Sequence, residues 1–303
     1  MTTPAQELRS VLKQVDGIVL GKPRQIRLCV ACLLARGHLL IEDIPGVGKT
    51  TLAHALAKAL SLSFQRIQFT SDLLPADVLG VSIFDRDSGT FRFQHGPIFA
   101  QLVLADEINR APPKAQSALL EAMEEHQVTL DAHTYELPSP FFVVATQNPQ
   151  DQAGTFPLPE SQLDRFLMRV HLGFPEARVE RDLLLGRDRR ELLENLQPTL
   201  QTSRLLALQS AVQEVHVAPA LLDYVQALLI HSRASPGFRH GLSPRAGLGL
   251  LRAARAWALI AGRDAVLPDD VQAVLEAVVE HRIGPREDGS RATPALLEAV
   301  AIP

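Results

Sequence analysis

Cysteine is nearly absent from the chain, with only Cys29 and Cys32 among 303 residues. A disulfide framework needs more thiols than that, and a zinc site built on a C-x-x-C needs a second ligand pair. The two cysteines lie in the apolar run Ile26 to Ala35 at a spacing that puts both on one helical face, which predicts core packing. No apolar run approaches the roughly 20 residues that cross a bilayer. The opening MTTPAQELRS has no apolar stretch of the kind a secretory signal needs, so a cytoplasmic protein is expected. The ten histidines form no H-E-x-x-H or similar pair, which argues against a catalytic transition metal. A stripe of one charge is also missing. The 30 Lys and Arg are scattered among 34 Asp and Glu, net charge is -4 and the pI is near 6.2. That excludes a global attraction to nucleic acid and leaves room only for a small local surface.

What is present is concentrated in Glu42 to Thr51, EDIPGVGKTT. The apolar run His38 to Ile41 reads as a buried strand and Thr51 to Leu60 as a helix, so this loop joins a strand to a helix N-terminus, the setting of a P-loop. After Pro45, backbone N–H groups of the Gly46-Val47-Gly48 turn can converge on phosphate oxygens. Lys49 can reach β- and γ-phosphates, the Thr50 hydroxyl can ligate Mg²⁺, and Thr51 completes the first turn. The segment predicts nucleoside triphosphate binding. One position departs from G-x-x-x-x-G-K-[ST]: the first glycine is replaced by Asp43.

A chain of this length, 46% hydrophobic and 21% charged, is long enough for two cores. Up to residue 175, β-like runs alternate with helical ones, predicting an α/β domain around a parallel sheet. The runs are His38 to Ile41, Phe64 to Phe69, Leu102 to Ala105, Phe141 to Ala145 and Arg169 to Leu172. Two segments of alternating pattern, Val81 to His95 around Asp87-Ser88-Gly89 and Gln127 to Leu137 around Asp131-Ala132-His133, read as hairpins inserted into that core. From 176 to 303 the strand signal stops. Glu180 to Leu196, Ser203 to Val215, Pro219 to Arg233, Pro244 to Ala261 and Pro268 to Arg282 read as helices of a second, all-helical domain, several opening on Pro.

The run Leu102 to Ala105 ends in Asp106 and Glu107. In a P-loop protein the strand next to the P-loop strand delivers a carboxylate to Mg²⁺, a role for Asp106, while Glu107 can polarise a water for attack on the γ-phosphate. The run ending at Asn148 offers a polar group for that water or for the γ-phosphate. Arg165, at the end of a short helix, and Arg245, at the first turn of a helix in the second domain, stand where a guanidinium could reach phosphate across a domain or subunit boundary.

Together EDIPGVGKTTLA, GPIFAQLVLADEINRAPPKAQSALLEAMEE, ATQNP, PLPESQLDRFLMRV and LSPRAGLGLLRAARAWA resemble the MoxR family of AAA+ ATPases, in order and over nearly the whole chain. In that family Asp at position 43 is ordinary. The resemblance implies an αβα P-loop core with a parallel five-stranded sheet, a C-terminal helical lid, ATP and Mg²⁺ as ligands, and a homo-oligomeric ring, commonly a hexamer. It assigns Asp106 and Glu107 to Walker B and Asn148 to sensor 1. Arg165 becomes the arginine finger acting in a neighbour's site, and Arg245 becomes sensor 2 acting within its own chain. Ile18, Val19, Leu20 and Gly21 correspond to the adenine pocket, and the hairpins to the helix-2 and pre-sensor-1 inserts, which face the pore in related rings. The implied activity is hydrolysis of ATP to ADP and phosphate by a chaperone-like machine that remodels or activates a client, metal or cofactor insertion being one such task. The usual partner carries a von Willebrand factor A domain. A nucleic-acid motor of the related helicase clade is the alternative, but it calls for basic hairpins. The first hairpin carries only Arg86 and Arg92, and the second neither Lys nor Arg. A nucleotide-gated binding module with little hydrolysis is the other alternative.

Overall fold

The computed structural model describes residues 3–302 except 88, 150–153, 187–188 and 285–289. Two helices, α1 (Pro4–Asp16) and α2 (Pro23–Leu34), precede β1 (Leu39–Glu42), α3 (Lys49–Ala59) and β2 (Phe64–Gln68). A short α4 (Pro75–Leu79) leads into the hairpin of β3 (Gly80–Asp85) and β4 (Thr90–His95), then β5 (Leu102–Asp106) and α5 (Pro113–Glu125). The second hairpin, β6 (Gln127–Leu130) and β7 (His133–Glu136), runs into β8 (Phe142–Gln147), α6 (Glu160–Leu163) and β9 (Met168–Val170). The remainder is helical: α7 (Ala177–Leu185), α8 (Arg189–Glu194), α9 (Thr202–Glu214), α10 (Pro219–Ala234), α11 (Pro244–Ala261), α12 (Pro268–Ile283) and α13 (Ala292–Ala299). Both expected hairpins form; Ser88, expected in the first turn, lies outside the described residues. The single helix expected over Glu180 to Leu196 is two, because α7 ends at Gly186 in an extended conformation.

The five sheet strands are parallel and ordered β2-β5-β8-β1-β9. This corrects one expectation: β5, which carries Asp106, is not next to the P-loop strand β1, since β8 lies between them. Asp106 still reaches the same edge as the P-loop, because parallel strands all end on one side of the sheet. That carboxyl edge is where open α/β sheets bind ligands.

Side-chain alternation on these strands builds two apolar clusters, one per face. Leu39, Ile41, Leu102, Leu104, Phe142 and Val144 face one cluster, and Leu40, Val103, Ala105, Val143 and Ala145 the other. The first cluster also contains α1, α2 and α3 together with the helices after residue 176. The two cores therefore divide by sheet face, and the helices after residue 176 share one of them with α1, α2 and α3. Arg27 on α2 lies 4.0 Å over the ring of Trp257 and donates to its carbonyl, clamping α11 to the sheet side of the molecule. Cys29 and Cys32 are fully buried here, and burial pushes the Cys29 thiol up to about 12 and Cys32 well above its usual range, as packing thiols require.

Two buried histidines give the fold an acid limit. His38 accepts the Val143 N–H on Nδ1 at 3.0 Å and donates from Nε2 to the Met123 carbonyl at 3.1 Å, and burial lowers its pKa from 6.5 to about 4. His281 is held well below its ordinary value for the same reason. The unfolded chain thus takes up protons that the folded chain refuses. Stability should be full above pH 6.5 and be lost as pH falls toward 4, by up to about 3 kcal/mol for His38 alone. Asp16 and Asp270, raised by burial, act in the opposite sense in the carboxylate range. Melting curves from pH 8 to 4.5 check this, and His38→Asn should flatten the acid limb.

Candidate nucleotide site

Gly46 and Gly48 adopt φ of 86° and 95°, a left-handed region that favours glycine, and a Cβ on either would meet nothing within 4 Å. The loop therefore leaves an open cradle at the N-terminus of α3, where N–H groups and the helix dipole favour an anion. Asp43 explains the missing first glycine. Its Oδ2 accepts the N–H groups of Leu172 and Gly173 at 2.7 and 2.6 Å, and its Oδ1 accepts that of Ile44, so it ties the loop to the chain leaving β9. Lys49 donates to the Asp43 carbonyl at 2.6 Å. Burial lowers its pKa, against the pull of Asp43, Asp106 and Glu107, which brings all three carboxylates within its field. Thr50 is exposed and Thr51 half-buried in the first turn of α3, while Pro45 is exposed and Val47 half-buried in the loop.

The stretch Ile18 to Gly21 lies close by. Lys22 donates to the Phe174 carbonyl at 2.8 Å, one residue after Gly173, and Gly21, at φ 71°, packs so closely on Val179 that a Cβ would come within 3.1 Å of it. Ile18 and Val19 are buried. The side chain of Phe174, by contrast, is largely exposed beside this stretch.

Asp106 is 8% exposed at the end of β5 and is held from two sides. Thr146 Oγ1 donates to its Oδ1 at 2.6 Å, and Arg66 donates to its Oδ2 at 2.6 Å from Nη2 and 3.1 Å from Nε. Glu107 adopts φ 57° and ψ 49°, a left-handed conformation costing on the order of 1 kcal/mol or more in a residue with a Cβ. Thr146 Oγ1 accepts its N–H at 2.9 Å, while Gln68 and Arg110 hold its Oε2 at 3.0 and 3.1 Å. Asn148 is buried one residue past β8, directly after Gln147, whose carbonyl accepts the Asp43 N–H. The structure therefore gathers the P-loop, Asp106, Glu107 and Asn148 on one sheet edge.

The sequence motifs did not single out Thr146, Arg66, Gln68 or Arg110. Thr146 stands inside ATQNP, and Arg66 and Gln68 alternate as exposed positions on the edge strand β2, but edge strands carry polar residues for solvation alone. Only the sheet order reveals that β2 is the neighbour of β5.

Arg165 and Arg245 are elsewhere. Arg165 Nε donates to Glu124 Oε2 at 3.0 Å and Arg245 Nη1 to Glu124 Oε1 at 2.9 Å, so one carboxylate holds both guanidiniums. They line a cavity with Gly37 and His38, which precede β1, and with Leu167, which precedes β9. This is the amino edge of the sheet, separated from the P-loop edge by the length of the strands, roughly 13 Å for β1 and more for β8. Arg245, expected to serve the nucleotide of its own chain, is placed beside Arg165 at this edge by α11, which is clamped to α2. Arg282 fixes the same edge. Its side chain is 7% exposed, donates to Asp164 Oδ1 at 2.6 Å and to the carbonyls of Phe166 and Leu167, and so grips the segment that carries Arg165.

Among the described residues no helix is long and apolar enough to cross a membrane, and no cluster of three or more His, Cys, Asp or Glu could hold a metal ion. The model of the ATPase family associated with various cellular activities matches residues 38–168, and an AAA lid domain model matches residues 230–300. The Bacillus subtilis protein YeaC, itself uncharacterised, is 45% identical over 276 residues, 91% of this chain and 86% of its own. Chaperone MoxR1 of Mycobacterium tuberculosis is 39% identical over 285 residues, 91% of this chain and 75% of its own. A solved structure from Cytophaga hutchinsonii, assigned as an ATPase, superposes with a TM-score of 0.89 at 36% identity, covering 99% of this chain and 96% of that one. Matched by the ATPase and lid models and by Chaperone MoxR1 over nine-tenths of its length, the chain belongs to the MoxR family of AAA+ ATPases.

Proposed function

We propose that this protein hydrolyses ATP to ADP and phosphate at a site completed by a second copy, and uses the cycle to remodel or activate a client protein. The observation that carries this reading is the separation of the two halves: phosphate-cradling and water-activating groups on one sheet edge, two guanidiniums sharing Glu124 on the other. A head-to-tail arrangement brings the second edge of one copy to the first edge of the next, and such a heterologous contact closes into a ring. A hexamer is the ring that the family resemblance implies.

In this reading the N–H groups of Gly46 to Gly48 bind the phosphates, and Ile18, Val19 and Gly21 border the base. Lys49 leaves the Asp43 carbonyl for the β- and γ-phosphates. Asp106 and the Thr50 hydroxyl suit Mg²⁺, which takes one or two protein oxygens and otherwise phosphate and water. When bound, Mg²⁺ neutralises charge between the phosphates. Arg66 then shares Asp106 Oδ2 or gives it up. Glu107, released by Gln68, accepts a proton from the attacking water, which Asn148 orients from the adjoining strand end. Arg165 and Arg245 of the neighbouring copy exchange Glu124 for the developing charge on the γ-phosphate.

The hairpins offer a route from this chemistry to a client. Phe93 on β4 stacks on Tyr135 on β7 with ring centroids 4.1 Å apart, and Ser82 Oγ donates to Asp131 at 2.7 Å, so the two inserts form one unit. One hairpin leads toward β5 and the other to β8, the strands directly followed by Glu107 and Asn148. The exposed Phe84 and Phe91 give the unit an apolar face for a protein client, of which a von Willebrand factor A domain protein is the one implied by the family resemblance, with metal or cofactor insertion as one outcome. A shared site has a direct signature: turnover per chain should rise with protein concentration, in step with assembly followed by sedimentation in ATP and Mg²⁺. Turnover per chain that stays constant down to concentrations where only monomer sediments would contradict it.

A further inference from the structure

The cavity at the amino edge, about 210 Å³, is lined by five arginines: Arg36, Arg165, Arg245, Arg252 and Arg282. Two carboxylates, Glu124 and Asp164, are the acids on its wall, so five positive charges face two negative ones, an excess of three. Glu124 is taken by Arg165 and Arg245, and Asp164 by Arg282. Arg252 makes no hydrogen bond or ion pair with any described residue. The residue as a whole is exposed, and partial burial together with the neighbouring Arg245 lowers its pKa. Arg36, also exposed, makes no ion pair with a described residue either, but it lies beyond the end of α2 and not on the helix that carries Arg245.

Arg252 follows Arg245 by seven residues on α11, two turns along the same helical face, about 10 Å apart at the backbone. Gly249 lies between them. A Cβ there would come within 2.9 Å of Leu167, so the helix is pressed against the chain that leads from Arg165 into β9. Leu167 and the clamp at Trp257 thus hold the stretch of α11 that carries Arg252. A guanidinium with no acid partner among the described residues, lining a cavity with two guanidiniums that share one acid, makes a site suited to a multiply charged anion.

We propose that Arg252 is a third guanidinium for the terminal phosphates of the nucleotide held on the P-loop of a neighbouring copy, beside Arg165 and Arg245. This rests on the shared-site reading above and extends it to a residue outside the SPR turn. Because Arg252 makes no hydrogen bond or ion pair with a described residue, Arg252→Gln should melt close to the wild type. Its turnover should fall by about tenfold or more, the scale of one charge-assisted hydrogen bond, and Arg252→Lys should keep part of what Gln loses.

The deciding experiment mixes full-length Arg252→Gln with full-length Lys49→Ala, beside a mixture of Arg165→Ala with Lys49→Ala, in ATP and Mg²⁺ with co-assembly verified by sedimentation. The inference expects turnover above either parent in both mixtures. Recovery with Arg165→Ala but none with Arg252→Gln would place Arg252 in its own chain's workings and overturn the inference alone. Wild-type turnover of Arg252→Gln by itself would also overturn it. Recovery in neither mixture would reject the shared site, and the inference with it.

Discussion

Lys49→Ala should abolish nucleotide binding, whereas Glu107→Gln should bind nucleotide normally and lose turnover by about 10²-fold or more, the scale expected when water activation is removed. The two side chains sit on the same sheet edge but do different work. Lys49 is a half-buried cation whose only hydrogen-bond acceptor among the described residues is the Asp43 carbonyl, and it makes no direct contact with a described carboxylate. Its loss removes the cation that its own chain holds against the phosphate cradle. Glu107 contacts Gln68 and Arg110 and lies outside the cradle, and Gln at this position can keep the hydrogen bonds while losing the ability to accept a proton. Binding measured with a fluorescent nucleotide and turnover measured by phosphate release separate the two. Near-wild-type turnover in both variants would reject the assignment.

The left-handed backbone at Glu107 adds a reason to expect this sensitivity. The conformation is held by Thr146, whose single hydroxyl donates to Asp106 and accepts from the Glu107 N–H. One threonine on the intervening strand therefore orients both acids. This is how β8 repairs the separation of β5 from the P-loop strand, and nothing in the spacing of the acids announced it.

Much of this was legible in the sequence because it is local. The P-loop needs a strand, a glycine turn and a helix within a dozen residues, and all three carry period and turn signals of their own. The hairpins and the Pro-initiated helices α10, α11 and α12 are local in the same way. What depends on sheet order was not legible: that Arg66 and Gln68 on β2 reach Asp106 and Glu107, and that β8 separates β5 from β1. The N-terminal helix α1 and the last helix α13 carry weak signals. α13 is eight residues long, and the Glu280 carboxylate of α12 accepts its first N–H groups, a cap supplied from 12 or 13 residues away. The placement of Arg245 was the largest departure. SPR at a helix start reads as a lid arginine over its own nucleotide, yet the contacts that decide its position are Arg27 on Trp257, Gln209 on the Leu33 carbonyl and Gly249 under Leu167, which join segments far apart in the chain.

That departure makes Arg245 the sharpest test of the whole account. Arg245→Ala and Arg165→Ala should each be severely impaired alone, by about 10²-fold or more if each stabilises charge on the transferring phosphate. Mixed with Lys49→Ala, both should recover. In a head-to-tail ring formed by random pairing from equal amounts, about one interface in four joins an intact P-loop to an intact guanidinium edge. Steady-state phosphate release by co-assembled Arg245→Ala and Lys49→Ala chains decides between a shared and a separate site. A site shared between copies predicts turnover well above the sum of the two parents. Turnover equal to that sum, with co-assembly verified and the Arg165 mixture recovering, would return Arg245 to the nucleotide of its own chain and contradict the arrangement described here.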